Sequence, residues 1–496
     1  MKSDEKQSQT PFFTALKDYV KSGVAPFDVP GHKLGRIQND MIKELGDSIF
    51  LYDANAPYGL DNLSNPRGVI KEAENLCAEL FNADAAYFIV GGTTTAIHAM
   101  IMSTCRARDT VLLPRNVHKS IVNALVLSGA VPVFMKPLID EEYGFANSVP
   151  FEEAKRAIDE NPDAKAIVLL NPTYFGAVSD LKRICDYAHE RNISVLVDEA
   201  HGTQFAFNDQ LPLSAMEAGA DMAATSMHKT GGSLTQSSIL LCKGSRNNYE
   251  YIRTVLNILQ STSPSSLLLA SLDVARKSLA ENGYELTSRA IEMRNYAVNK
   301  LKDLKRAKVL DEDYFLENGV FNYDKTRLVV SFKDMGYSGF AIYRLLKEKY
   351  NIQAELGEKY VVLFIFTGGT TLNDVNRLVE AIKDIDQIEV DQVFDEDFLF
   401  GHHFPEYVVR PREAFHAPKK YVNYLDAKGE ISAESIMIYP PGIPLVIMGE
   451  RIDDNVMKTI KFYLMKGFTI LKDSAGEFIK VIDTENWIKR SDEDEI

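Results

Sequence analysis

The sequence predicts an α/β protein built on a mainly parallel sheet with helices on both faces, and three observations predict it. Short apolar runs alternate with amphipathic stretches from about residue 85 to 241, the pattern of successive strand–helix units. The chemically distinctive residues stand at the carboxyl ends of those runs, where open α/β sheets bind their ligands. A long helical pattern over 267–304 then leaves this region and is followed by a smaller α+β pattern.

Taken in order, strands are expected over 86–90, 110–113, 131–135, 166–170, 195–197, 222–225 and 238–241, with helical patterns between them at 151–160 and 181–191. Past the long helix, strand-like 327–332 and 360–366 flank a helix at 339–350. The acidic stretch 391–397 reads as a linker. A third piece from 406 to 496 carries Tyr439-Pro440-Pro441-Gly442-Ile443-Pro444 as a rigid turn. The expected organisation is an N-terminal segment with the large domain over 1–295, a small α+β domain over 296–395 and a C-terminal α+β domain over 396–496.

Composition narrows the function. The 496 residues allow several sizeable cores, and 45% hydrophobic with 25% charged residues is the mixture of a soluble globular chain. A net charge of −15 argues against nucleic acid and anionic membrane as partners. The start, Met1-Lys2-Ser3-Asp4-Glu5-Lys6, has no apolar signal core, and no apolar run approaches a membrane span. Cys77, Cys105, Cys185 and Cys242 are scattered without disulfide or metal spacing, which fits a reduced cytoplasm and no metal site.

Two strand ends carry the chemistry. Val195-Leu196-Val197 ends in Asp198-Glu199-Ala200-His201, and a run of small residues ends in Ser226-Met227-His228-Lys229. An acid and a lysine so placed are what pyridoxal 5'-phosphate (PLP) requires. The lysine amine holds the aldehyde, and the carboxylate keeps the pyridine nitrogen protonated so that the ring accepts electrons. Upstream, Gly91-Gly92-Thr93-Thr94-Thr95 is a tight turn into a helix start that can hold a phosphate. A glycine turn with a threonine cap would read the same in isolation; its place before Asp198 and Lys229 favours phosphate. His118, after the next strand, is expected to lie flat on the ring, against the alternative of a surface loop. Thr173, in Asn171-Pro172-Thr173-Tyr174, is expected to line the site, Ser226 to add a hydroxyl, His201 to orient Asp198, and His228 to donate a proton. His98 and His189 fall within helical patterns and read as structural. His402 and His403 lack the spacing of a metal site.

Together these residues resemble the bacterial ornithine/lysine/arginine decarboxylases, along nearly the whole chain. The resemblance runs through Pro30-Gly31-His32-Lys33, Gly92-Thr93-Thr94-Thr95-Ala96, Arg115-Asn116-Val117-His118-Lys119-Ser120, Asp198-Glu199-Ala200-His201, Ser226-Met227-His228-Lys229, Ser261-Thr262-Ser263-Pro264 and the proline-rich turn. It implies the aspartate aminotransferase-like fold (fold type I). It also implies Lys229 as the PLP lysine, Asp198 at the pyridine nitrogen and His118 stacked on the ring. Thr93, Thr94, Ser226 and His228 would surround the phosphate, and Thr262 would reach a phosphate across a dimer interface. A homodimer or higher homo-oligomer with shared sites follows.

Because Pro30 lies so near the start, the chain looks like the short biosynthetic type. It is similar to Gram-positive arginine decarboxylases, which make agmatine for polyamines. Glu434 is expected to receive the substrate's distal cation, since a guanidinium pairs with a carboxylate through two parallel hydrogen bonds. A structural glutamate is the alternative. Ser64 stands where short-form relatives carry histidine, and Met448 replaces proline before Gly449-Glu450. The basic substrate is expected to be arginine first, then lysine or ornithine. The same cofactor also serves aminotransferases and racemases.

Overall fold

The structure is a computed structural model, and it describes residues 5–388, 404–439, 443–465 and 469–487. Seven strands form the main sheet in the order Ala85–Ile89, Ser238–Cys242, Met222–Thr225, Ser194–Asp198, Ala166–Leu170, Thr110–Pro114 and Val131–Met135. Ser238–Cys242 is antiparallel to both neighbours, and the others share one direction. Each of the seven expected strands forms, within a residue or two of its expected ends.

Alternate residues of these strands feed two separate cores. Leu112, Ile167, Leu169, Val195 and Val197 pack on one face, and Val111, Leu113, Val168 and Leu196 on the other. That is why the runs are apolar without alternation: helices cover both faces. Burying each such side chain contributes about 1.5–3 kcal/mol.

The helix Ser266–Lys300 ties two regions together. Its Leu269, Leu272 and Leu279 enter the core under the main sheet, while Ala290 and Ala297 enter a second one with Leu328, Val330 and Val362. The expected domain boundary at 295 falls inside this helix. Gly283 lets the helix approach Phe207: a Cβ there would lie 2.7 Å from the ring. The second core belongs to an antiparallel sheet ordered Lys308–Leu310, Arg327–Ser331, Val361–Ile365 and Leu356–Gly357. A short pairing of Asn322–Tyr323 with Ala177–Val178 fastens this region to the loop beyond Ala166–Leu170.

In the C-terminal region Lys419–Asn423 pairs with Phe478–Ile482, and Ile436–Tyr439 pairs with Ile443–Val446 and Thr469–Leu471. The proline-rich turn joins two of these strands, but its residues 440–442 lie outside the described residues. So do the expected linker 391–397 and His402 and His403. Among the described residues no helix is long and apolar enough to cross a membrane. All four cysteines are buried free thiols.

Candidate active site

Five chain segments leaving the main sheet converge on a pocket of ≈ 260 Å³. Gly92, Thr93, Thr94, His118, Thr173, Asp198, His201, Ser226, His228 and Lys229 all line it. The volume suits one single-ring ligand better than a dinucleotide.

One end of the pocket is built for an anion. The helix Gly92–Thr104 points its N-terminus there, and Gly92 has φ +74° with open space where a Cβ would stand. A glycine meets that backbone conformation without strain and lets a ligand approach the chain closely. Thr94 is exposed into the pocket. The Thr93 hydroxyl instead bonds Ser238 Oγ at 2.6 Å and Ser226 Oγ, so Thr93 and Ser226 brace one another. Thr95 is turned away; its hydroxyl donates to the Gly91 carbonyl at 3.0 Å. Of the threonine run, Thr95 is a helix-start residue rather than part of the pocket wall.

The other groups are titratable and mutually adjusted. Asp198 is buried, which pushes its carboxyl pKa up, while His118 and Lys229 draw it back. It accepts a hydrogen bond from the Ala200 amide at 3.1 Å. Lys229 is open to the pocket along its side chain. Even so, burial of its amine lowers its pKa; Asp198 and Glu355 oppose that shift and Arg327 adds to it. Its Nζ shares a 2.9 Å hydrogen bond with His201 Nε2. Burial and the positive field of Lys229 and Arg327 hold the His201 pKa well below the usual imidazole range. Tyr174 completes this wall, its ring 4.7 Å from that of His201 and 5.7 Å from Lys229 Nζ.

His118 caps the helix Lys119–Ser128, accepting from the Ser120 amide at 3.2 Å through Nδ1, and burial lowers its pKa. His228 Nδ1 is tied to the Ser237 carbonyl at 2.8 Å. Two observations fit a planar phosphorylated aldehyde in this pocket. A buried carboxylate beside Lys229 gains from a protonated ring nitrogen, because an opposite charge offsets its desolvation. His201 Nδ1 is also buried without a hydrogen-bond partner among the described residues.

Comparison with known proteins settles the family. The family model "Orn/Lys/Arg decarboxylase, major domain" matches residues 10–314, and the C-terminal domain model of the same family matches 394–470. The chain belongs to the Orn/Lys/Arg decarboxylase family. Within it, the chain is 41% identical to an arginine decarboxylase of Bacillus subtilis (strain 168), covering 97% of this chain and 100% of that one. An arginine decarboxylase of Bacillus anthracis is also 41% identical, over 96% and 98%. The crystal structure of a Francisella novicida lysine decarboxylase superposes with a TM-score of 0.83 at 22% identity, over 96% of this chain and 82% of that one. It supports fold type I for this decarboxylase-family chain.

Besides Thr95, the expected residues Glu434 and Thr262 stand outside the pocket, as does Ser64. Glu434 is fully buried, and its carboxylate accepts from Asp473 N (2.6 Å), Ser474 N (2.7 Å), Ser474 Oγ (2.5 Å) and Lys480 N (2.8 Å). Those bonds hold the carboxylate inside the C-terminal region, away from the pocket. The structural alternative replaces the expected substrate role. Ser64 lies in an exposed turn, its amide bonded to Asn62 Oδ1 at 2.9 Å. Thr262 is exposed and does not line the pocket of its own chain.

Other site residues were missed by sequence reading. Thr235 and Gln236 line the pocket from a loop with no motif of its own, and Asn116 lines it from within the His118 motif without having been singled out. Buried Arg327, at the start of a strand in the second sheet, donates from Nη2 to the His201 carbonyl at 2.9 Å and pairs with Asp324 at 3.0 Å. Gln204 bonds both that carbonyl and Asp324, each at 3.0 Å. Arg327 therefore holds His201 from the second sheet.

Proposed function

We propose that this chain is a PLP-dependent L-arginine decarboxylase that releases agmatine and carbon dioxide for polyamine synthesis, with lysine and ornithine as the alternative substrates. The observation that carries the chemistry is the meeting of Lys229, Asp198 and His118 in one pocket at the strand ends. Arginine is favoured by the Bacillus relatives named for it.

PLP, when bound, supplies an electron sink for the pair of electrons left behind by departing carbon dioxide. The protein's residues do the rest. Lys229 Nζ holds the aldehyde end; its lowered pKa keeps more of the amine unprotonated and nucleophilic at neutral pH. Asp198 holds a proton on the pyridine nitrogen, a preorganised charge worth more in a buried site than in water. With PLP bound, His118 would lie against the ring, Gly92, Thr93, Thr94 and Ser226 would hold the phosphate end, and Thr173 and His201 would line the flank. The proton that replaces the carboxylate comes from Lys229 Nζ or from His228.

Glu355 takes the place first expected for Glu434. It is exposed, and its negative field reaches Lys229. A carboxylate there can receive the guanidinium with two parallel hydrogen bonds. Thr262 reaches the phosphate of a partner subunit, which makes a homodimer or a higher cytoplasmic homo-oligomer the working unit. The test is purified protein with PLP and L-arginine: agmatine and an equal amount of carbon dioxide are expected, and none from Lys229→Ala. A keto acid product would overturn the reading.

A further inference from the structure

The C-terminal region grips, at both ends, the helix whose N-terminal cap is His118. At the near end, Arg115 follows the strand Thr110–Pro114 and is buried. Its guanidinium forms a bidentate pair with buried Glu450, at 2.5 Å (Nη1 to Oε1) and 2.9 Å (Nη2 to Oε2). Nη2 also donates to the Leu445 carbonyl at 3.2 Å, and the guanidinium stacks 4.7 Å from the Phe134 ring centroid. Glu450 Oε2 accepts in addition from the Ile447 amide at 2.8 Å, which fixes its own position. Asn116 and His118, the next pocket residues along the chain, leave from this anchor.

At the far end of the helix Lys119–Ser128, Arg412 donates from Nε to the Val126 carbonyl at 2.8 Å and from Nη2 to the Leu127 carbonyl. These carbonyls have no partner further along their own helix, so a cation there is doubly favourable. Gly129, at φ +74°, closes the helix; a Cβ on it would lie 2.8 Å from the Arg412 guanidinium. The approach of Arg412 therefore needs that glycine.

We propose that Glu450 and Arg412 are positioning residues, through which the C-terminal region sets the placement of His118 against the cofactor ring. The inference rests on the PLP reading above. A buried ion pair contributes little net stability once desolvation is counted, whereas its bidentate geometry specifies one arrangement.

The test uses the full-length protein with PLP, reading cofactor dissociation constant, visible circular dichroism of the bound cofactor, and melting temperature. Glu450→Gln and, at the other end of the helix, Arg412→Ala should each weaken PLP binding about 3- to 30-fold and alter the visible dichroism. Glu406→Gln, which breaks only the exposed pair with Arg451, should do neither. The double variant Arg115→Met with Glu450→Leu should recover melting temperature but not the dichroism. Variants that melt earlier yet match the unaltered protein in dichroism and PLP affinity would overturn the positioning role. If Glu450→Gln does not fold, Arg412→Ala decides alone. Failure of the unaltered protein to take up PLP would overturn the functional reading, and this inference with it.

Discussion

Lys229 Nζ and His201 Nε2 lie 2.9 Å apart, so the pocket's amine meets an imidazole that its surroundings keep neutral. A neutral imidazole accepts the amine's hydrogen bond at Nε2 and so fixes where Nζ stands when it gives or takes a proton. His201→Phe should keep the cofactor's visible band while kcat falls about 10²- to 10⁴-fold and KM changes little. Steady-state kinetics with an absorbance spectrum checks this; an unchanged kcat would show that the contact has no catalytic part.

Asp198→Asn should separate function from stability. Burial raises the Asp198 pKa, so its charge is a cost to the cofactor-free fold. Removing that charge should hold or raise the melting temperature of the cofactor-free protein while lowering kcat on the order of 10²- to 10³-fold.

Glu355 and Glu434 should part company. Glu355→Gln should raise KM for arginine about 10- to 100-fold, the loss of a charged hydrogen-bonded pair, with PLP binding kept. Glu434→Gln should leave KM alone and cost about 1–3 kcal/mol of stability in denaturant unfolding, because its buried amide donors lose a charged acceptor.

Glu358 gives a pH dependence away from the site. Burial pushes its carboxyl up to about 8 from an ordinary 4.5. The folded state therefore holds this proton more tightly than the unfolded chain does. The resulting stability is fully present below pH 4.5 and is lost as pH rises towards about 8. Glu358→Gln should remove that loss, altering the slope of stability against pH by about 1.4 kcal/mol per unit in this window. Melting curves across the window read it directly.

Much of this was legible in the sequence, for a local reason. The strands of the main sheet are continuous apolar runs, and Asp198, His118 and Lys229 sit at or just past their ends, so chain order alone brings them to one rim. The threonine run was legible as a helix start, but not which hydroxyls face the pocket: Thr94 does and Thr95 turns back to Gly91. Contacts made across the fold left no local trace. Arg327 reaches His201 across a sequence separation of 126, and Arg115 reaches Glu450 across 335. Glu434 misled for the same reason. An acidic residue beside a familiar turn looks alike whether it faces solvent, substrate or a set of backbone amides.

The most direct measurement is competition. Equimolar L-arginine, L-lysine and L-ornithine are offered together to the PLP-loaded protein, and the amines formed are identified by mass spectrometry over the first few turnovers. Agmatine as the dominant product is the predicted result. Cadaverine or putrescine in its place would contradict the arginine assignment, and no amine from a protein that visibly holds PLP would contradict decarboxylation itself.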